Sequence, residues 1–177
     1  MKIIKSFTTV MVIFVLALAS CSASVNEGKK EFTDETIASE ASISLVNPAF
    51  KMTDINGNTI DLQSLKGKKV FVNLWATWCP PCRSEIPFIE QLQSKVDKQK
   101  VAFVMLSLDD DFSKAKKFAK EYNLKLPVYY PAESLPKMFS TDGIPASFIF
   151  NERGELIKQN NGADDCDTED YVQLLKS

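Results

Sequence analysis

Histidine is absent from the 177 residues of the chain. Its absence excludes Ser-His-Asp and Cys-His catalytic units, imidazole metal ligands and a histidine proton shuttle. Neither sign of charge dominates: 21 Lys and Arg face 23 Asp and Glu, a formal net charge of −2. That balance, with no concentrated basic face, speaks against a nucleic-acid partner. No internal repeat is visible, which sets aside solenoids and propellers. Long apolar runs are missing too. The unbroken run Val10 to Ala19 has ten residues. As a helix it rises only about 15 Å, against about 30 Å of hydrocarbon. What remains is an ordinary globular composition, 45% apolar and 25% charged, in a chain long enough for one domain with a substantial core.

The N-terminus stands apart from that domain. Lys2 and Lys5 form a small basic region ahead of the apolar run, which closes with Leu18-Ala19-Ser20-Cys21. This is the pattern of an export signal rather than a stable membrane span. The closing residues resemble the bacterial lipoprotein signal, in which small residues precede a cysteine that is lipidated. An ordinary signal peptide with an incidental cysteine is the alternative. The resemblance implies a signal peptide over 1–20 and lipidation of Cys21, which anchors the protein by burial of acyl chains. Residues 22 to about 44 are rich in Ser, Glu, Lys and Thr without a sustained period. They read as a flexible tether, so that 21–45 link the membrane to a folded domain over 46–177. With Cys21 lipidated, Cys79, Cys82 and Cys166 remain, an odd number in an oxidising compartment.

Within the domain, strands and helices alternate. Phe50 to Thr53 and Asn58 to Asp61 flank Asn56-Gly57, a strong hairpin signal. Leu62 to Leu65 suits a short helical turn. Val70 to Trp75 is a mostly apolar run of the kind found in buried central strands. From about Pro81 to Val96, the residues Ile86, Ile89, Leu92 and Val96 share a helical face. Val101 to Leu108 reads as a second buried strand. Asp109, Asp110 and Asp111 favour the start of a further helix. On that helix Phe112, Ala115, Ala119 and Tyr122 share the apolar face, and Lys114, Lys116, Lys117 and Lys120 lie mostly on the solvated one. Val128 to Tyr130 is a short strand. Ala146 to Phe150 and Glu155 to Gln159 form a hairpin around Arg153-Gly154, and Thr168 to Lys176 a closing helix with Tyr171, Leu174 and Leu175 inward. The alternation implies parallel strand pairing, with an antiparallel strand added by the last hairpin. The fold class is α/β, a mixed central sheet flanked by helices.

Trp78-Cys79-Pro80-Pro81-Cys82 lies where the central strand hands over to the first long helix. Cys79 falls at or near the helix N-cap. There a thiolate meets free backbone N–H groups and the positive end of the helix dipole, which lowers its pKa. Cys82 is one turn further on, within disulfide reach. Pro80 and Pro81 suit early helix positions and stiffen the loop, but remove two N–H groups that would otherwise face the sulfur. A Cys-x-x-Cys pair can also be half a zinc site or an inert structural disulfide. Zinc would want four ligands, and only Cys166 is left to add. Exported context and the strand-to-helix position favour redox work.

Trp75-Ala76-Thr77-Trp78-Cys79-Pro80-Pro81-Cys82-Arg83-Ser84-Glu85 resembles the thioredoxin-like thiol-disulfide oxidoreductases of the TlpA/ResA type. The resemblance covers residues 46 to 177 or so. It implies a thioredoxin-like fold, here with an extra N-terminal β-hairpin, and a membrane-attached, extracytoplasmic and usually reducing activity. It implies Cys79 as nucleophile and Cys82 as resolving thiol. Pro87 matches the helix-kinking proline of thioredoxins. Gly143-Ile144-Pro145 resembles the cis-proline loop that faces the redox cysteines. Trp78, Pro80, Ile144 and Pro145 are then the expected substrate contacts, the backbone of Ile144 pairing with the substrate chain. Glu85 matches a glutamate implicated in tuning the cysteines or handling their proton; an acidic residue favoured by the helix dipole is the plainer reading. Asn73 stands where thioredoxin itself carries a buried acid. An amide cannot take the proton of the resolving thiol, which moves that role to Glu85 or water.

The partners so implied are disulfide-containing envelope proteins, apocytochrome c among the candidates, and a membrane electron donor of the CcdA/DsbD type. The membrane is contacted through the lipid anchor, on the periplasm-facing side of the bacterial envelope. No cofactor, metal or nucleic acid is called for. Cys166 lies among Asp164, Asp165 and Asp167, which should disfavour its thiolate, and reads as an idle thiol. Two other function classes share this fold. A lipid-anchored peroxiredoxin-like peroxidase would want Thr or Ser three residues before the reactive cysteine, where this chain has Ala76. A non-catalytic redox sensor would keep the fold without turnover.

Overall fold

The computed structural model describes residues 46–177. The expected signal peptide over 1–20, Cys21 and the tether up to residue 45 lie outside the described residues. Among the described residues no helix is long and apolar enough to cross a membrane.

Seven strands form one sheet: β1 Lys51–Asp54, β2 Thr59–Asp61, β3 Lys69–Trp75, β4 Val101–Ser107, β5 Val128–Pro131, β6 Ala146–Phe150 and β7 Leu156–Asn161. Three helices accompany it: α1 Pro80–Lys95, α2 Phe112–Glu121 and α3 Glu169–Lys176. Two 3₁₀ turns lie at Leu62–Leu65 and Lys137–Phe139. The strand order is β2-β1-β5-β4-β3-β6-β7. β3, β4 and β5 run parallel. The antiparallel part is larger than the sequence implies: β6 itself runs against β3, and β1 against β5, besides the two hairpins. The expected extra hairpin is therefore β1–β2, added beside β5. This is a thioredoxin-like fold with a mixed sheet, as the alternation of elements and the motif together led one to expect.

β3 is an interior strand, between β4 and β6, and all seven of its residues are buried. Their alternation assigns them to two cores. Val70, Val72 and Leu74 join Phe50, Leu62, Phe139, Phe148 and Phe150 on one face. Phe71 and Trp75 join Ile86, Ile89 and Leu92 of α1, Ala115 and Ala119 of α2, and Tyr171, Val172 and Leu175 of α3 on the other. Asn73 shares the register of Phe71 and Trp75, so a polar side chain sits under α1. The helix starts one residue earlier than its periodicity suggests, at Pro80, and continues through Pro87.

Two local readings change. Tyr122 is not on the buried face of α2: it follows the last helical residue, is 59% exposed and stacks on Phe118 at 4.3 Å. The three aspartates do not act as one capping cluster. Asp111 alone caps α2, accepting from the Ser113 N–H, while Asp109 is buried and turns the other way.

Candidate active site

The strand-to-helix corner is held from below by Asp109. Its carboxylate accepts the Thr77 N–H at 3.2 Å, the Thr77 hydroxyl at 2.6 Å and the Ser107 hydroxyl at 2.8 Å. These bonds fix the segment that presents Trp78 and Cys79. They also occupy the Thr77 hydroxyl, the nearest one before Cys79 in the chain. Asp109 was not legible as a site residue. Three consecutive aspartates before a helix look alike in sequence, and only the pairing of β3 with β4 turns this one back toward Thr77.

Cys79 is the N-cap of α1, with extended backbone angles of φ −93 and ψ 104. Its Sγ accepts the Cys82 N–H at 3.2 Å. Pro80 and Pro81 fill the first two helical positions, so this is the one N–H that the first three positions offer the sulfur. Cys79 and Cys82 form a disulfide, with Cα atoms 5.3 Å apart. Cys79 is 3% exposed and Cys82 fully buried. Attack from outside can therefore reach only the Cys79 end.

The Ile144–Pro145 peptide is cis, and Cys79 Sγ lies 3.7 Å from the Ile144 carbonyl oxygen. Two surface grooves flank this point. One of about 630 Å³ is lined by Trp78, Leu108, Leu135, Phe139, Gly143 and Ile144. The other, of about 450 Å³, runs along α1 past Pro80, Arg83, Pro87, Phe118 and Tyr122. The expected contact residues thus divide. Trp78, 63% exposed, shares a groove with Ile144, Pro80 lies on the opposite flank, and Pro145 is buried behind the loop.

Glu85 is buried, one helical turn beyond Cys82. Its Oε1 accepts a hydrogen bond from Asn73 Nδ2 at 2.7 Å, and the same amide reaches Ser147 Oγ at 3.2 Å. Glu85 Oε2 and Asn73 Oδ1 are buried without a partner. Burial pushes the Glu85 carboxyl up to about 7, against the pull of the Asn73 hydrogen bond. Asn73 therefore does more than replace an acid: it orients the acid of the neighbouring helix. Twelve residues separate the two, on different layers, and no sequence spacing announces the pair.

Cys166 is the free cysteine among the described residues, and it is buried. Its thiol is pushed up to about 12, first by burial and then by the charges of Glu85 and Asp164. The direction is the one expected from the neighbouring aspartates, but burial outweighs their charge. Close by, the Tyr171 hydroxyl donates to Asp164 Oδ2 at 2.5 Å. No group of three or more Cys, Asp or Glu suited to a metal occurs among the described residues.

Comparison with known proteins agrees with this geometry. The Redoxin family model matches residues 43–175. The thiol-disulfide oxidoreductase ResA of Bacillus cereus is 34% identical over 130 residues, covering 72% of this chain and 75% of the relative. ResA of Halalkalibacterium halodurans is 28% identical over 164 residues, 92% of each chain. A thiol:disulfide interchange protein of the thioredoxin family from Chlorobium tepidum superposes with a TM-score of 0.65 at 29% identity. It covers 75% of this chain and 97% of the other.

Proposed function

Because the chain belongs to the Redoxin family, as a thiol-disulfide oxidoreductase of the TlpA/ResA type, we propose that it reduces protein disulfides outside the cytoplasm. In this reading residues 1–20 are a signal peptide, Cys21 carries the lipid anchor, 21–45 are the tether and 46–177 the working domain. The substrates are disulfide-containing envelope proteins, with apocytochrome c among the candidates, and a membrane donor of the CcdA/DsbD type restores the dithiol.

One observation carries the reading: a buried resolving thiol lies behind an outer sulfur at a helix N-cap, 3.7 Å from the Ile144 carbonyl. Reduced Cys79 attacks one sulfur of the substrate disulfide as a thiolate. The substrate S–S bond breaks, one substrate sulfur leaves as thiolate, and a mixed disulfide to Cys79 forms. The substrate strand lies along Ile144 and Pro145, with Trp78 and Pro80 on either flank. Cys82 then loses its proton and attacks Cys79 Sγ, and the second substrate sulfur leaves. Two electrons have passed from the dithiol to the substrate. In this reading Glu85 takes the Cys82 proton.

The same helix start supports the reductive direction. Strong oxidants of this fold owe their potential to a well-stabilised reduced form. Here Pro80 and Pro81 leave a single N–H on the Cys79 sulfur, so the thiolate gains little and the pair favours giving electrons away. The experiment is a Cys82→Ser variant in reducing medium. It should accumulate mixed disulfides between Cys79 and envelope proteins; a variant that traps none would sink the scheme.

A further inference from the structure

Beside α1, sharing Ser84 with the groove that runs along the helix, lies a third cavity of about 310 Å³. Ser84, Glu85 and Phe88 of the helix form one wall, and Ala163, Asp164 and Asp165 the other. Glu85 is 2% exposed, yet it belongs to this wall. The Asn73 amide holds its Oε1, which leaves Oε2 as the oxygen without a partner. On the opposite wall the Tyr171 hydroxyl holds Asp164 at 2.5 Å.

We propose that Asp164, held by Tyr171 on the far wall of this cavity, is the positioning residue that governs the transfer of the Cys82 proton through Glu85. The inference rests on the dithiol reading above and adds a residue to it. Fully buried Cys82 has no direct way to hand its proton to water. In the resolving step the Cys82 proton passes to the Glu85 carboxylate as the Cys82 sulfur bonds to Cys79 Sγ and the substrate thiolate departs. Glu85 then releases that proton into the cavity, and the substrate thiolate takes one from solvent, so no charge accumulates.

Every element around Glu85 contributes to its setting. Asn73 of β3 and Ser147 of β6 lie on the sheet side. Asp164, Asp165 and the neutral Cys166 thiol come from the loop after β7. Tyr171 of α3 and Lys158 of β7 stand behind, the ammonium 3.7 Å from the centre of the Tyr171 ring. Asp164 acts on Glu85 in two ways: its backbone N–H favours the carboxylate, while its side-chain charge, the smaller effect, opposes ionisation and is the one that substitution of the side chain removes. Removing that charge makes Glu85 a carboxylate at lower pH, so Cys82 is deprotonated over a wider range.

The test is the two-phase reaction of the reduced full chain with a chromogenic thionitrobenzoate aryl disulfide, followed across pH. The first thiolate released reports attack by Cys79, and the second reports resolution by Cys82. Asp164→Asn should move the midpoint of the second phase to lower pH by roughly one unit, with the first phase as internal reference. In a Glu85→Gln background the same substitution should shift nothing. Tyr171→Phe keeps the ring and frees the carboxylate, and should give a smaller shift in the same direction; it serves if Asp164→Asn does not fold. A second phase unmoved by either substitution, or a shift that survives Glu85→Gln, overturns the proposal. Failure to release a second thiolate in the unaltered protein would instead overturn the resolving role of Cys82.

Discussion

The two faces of the sheet are made from one strand and differ in everything but their burial. On the side of Val70, Val72 and Leu74, the buried core is made of aliphatic and phenyl side chains with Met52. Phe139 packs against Phe50, Phe148 and Phe150 with ring centroids 5.0–6.4 Å apart. On the side of Phe71, Asn73 and Trp75, the core carries the Cys79–Cys82 disulfide, Glu85, Cys166 and the Tyr171 ring. At the edge of the first face one buried oxygen, Asn47 Oδ1, is unpaired, beside an amide that donates to the Leu62 carbonyl. The second leaves three buried polar atoms, Glu85 Oε2, Asn73 Oδ1 and Trp75 Nε1, without partners. An unpaired buried polar atom is destabilising, so the helix face, with three against one, gives up more stability than the other. Stability and chemistry are divided between the two sides of β3 in a pattern of alternate residues.

Substitutions on each face should act on different observables. The largest effect belongs to Cys79→Ser, which should lower disulfide exchange by roughly 10³-fold or more, since it removes the outer sulfur of the redox pair. Stopped-flow exchange with a small disulfide measures it. Phe148→Ala on the hydrocarbon face should cost about 3–5 kcal/mol in urea unfolding. It should leave the pH profile of exchange in place; a displaced profile would mean that the two faces are coupled.

The next effect sharpens the contrast through pH. Glu85 ionises near 4.5 when unfolded and near 7 when folded. Below the first value both states hold the proton. Between the two, the folded state alone holds it, so stability falls as pH rises through this window. Above the second value the whole penalty is present, up to about 3 kcal/mol. Unfolding of the oxidised protein should therefore show Glu85→Gln gaining on the unaltered chain as pH rises from about 4.5 to about 7. A constant difference across that range would show that Glu85 is not the titrating group. At the small end stands Arg153→Ala. Its pair with Glu155 is solvent-exposed, and the urea midpoint should stay within error.

Much of the architecture was readable because it is written in local periodicity. The apolar run of β3, the face Ile86, Ile89 and Leu92, and the Asn56-Gly57 turn each depend on near neighbours in sequence. The Cys79 N-cap was readable for the same reason, since a strand end, two prolines and a helical face bracket it. What escaped depends on pairing across layers. Asn73 meets Glu85 only once α1 lies over β3. Asp109 reaches Thr77 only because β4 ends beside β3, where the Leu108 N–H bonds the Trp75 carbonyl at 2.8 Å. Antiparallel entry of β6 beside β3 was not visible in a simple alternation of elements. Cys166 could be read as unreactive, but not as a neighbour of Glu85.

The most direct measurement is the reduction potential of the Cys79–Cys82 pair. A helix start that offers the sulfur one N–H should give a value near that of thioredoxin, about −270 mV, and a protein that reduces its substrates. A value near that of the strong oxidants, about −120 mV, would mean that it forms disulfides instead, and would contradict the reductive reading.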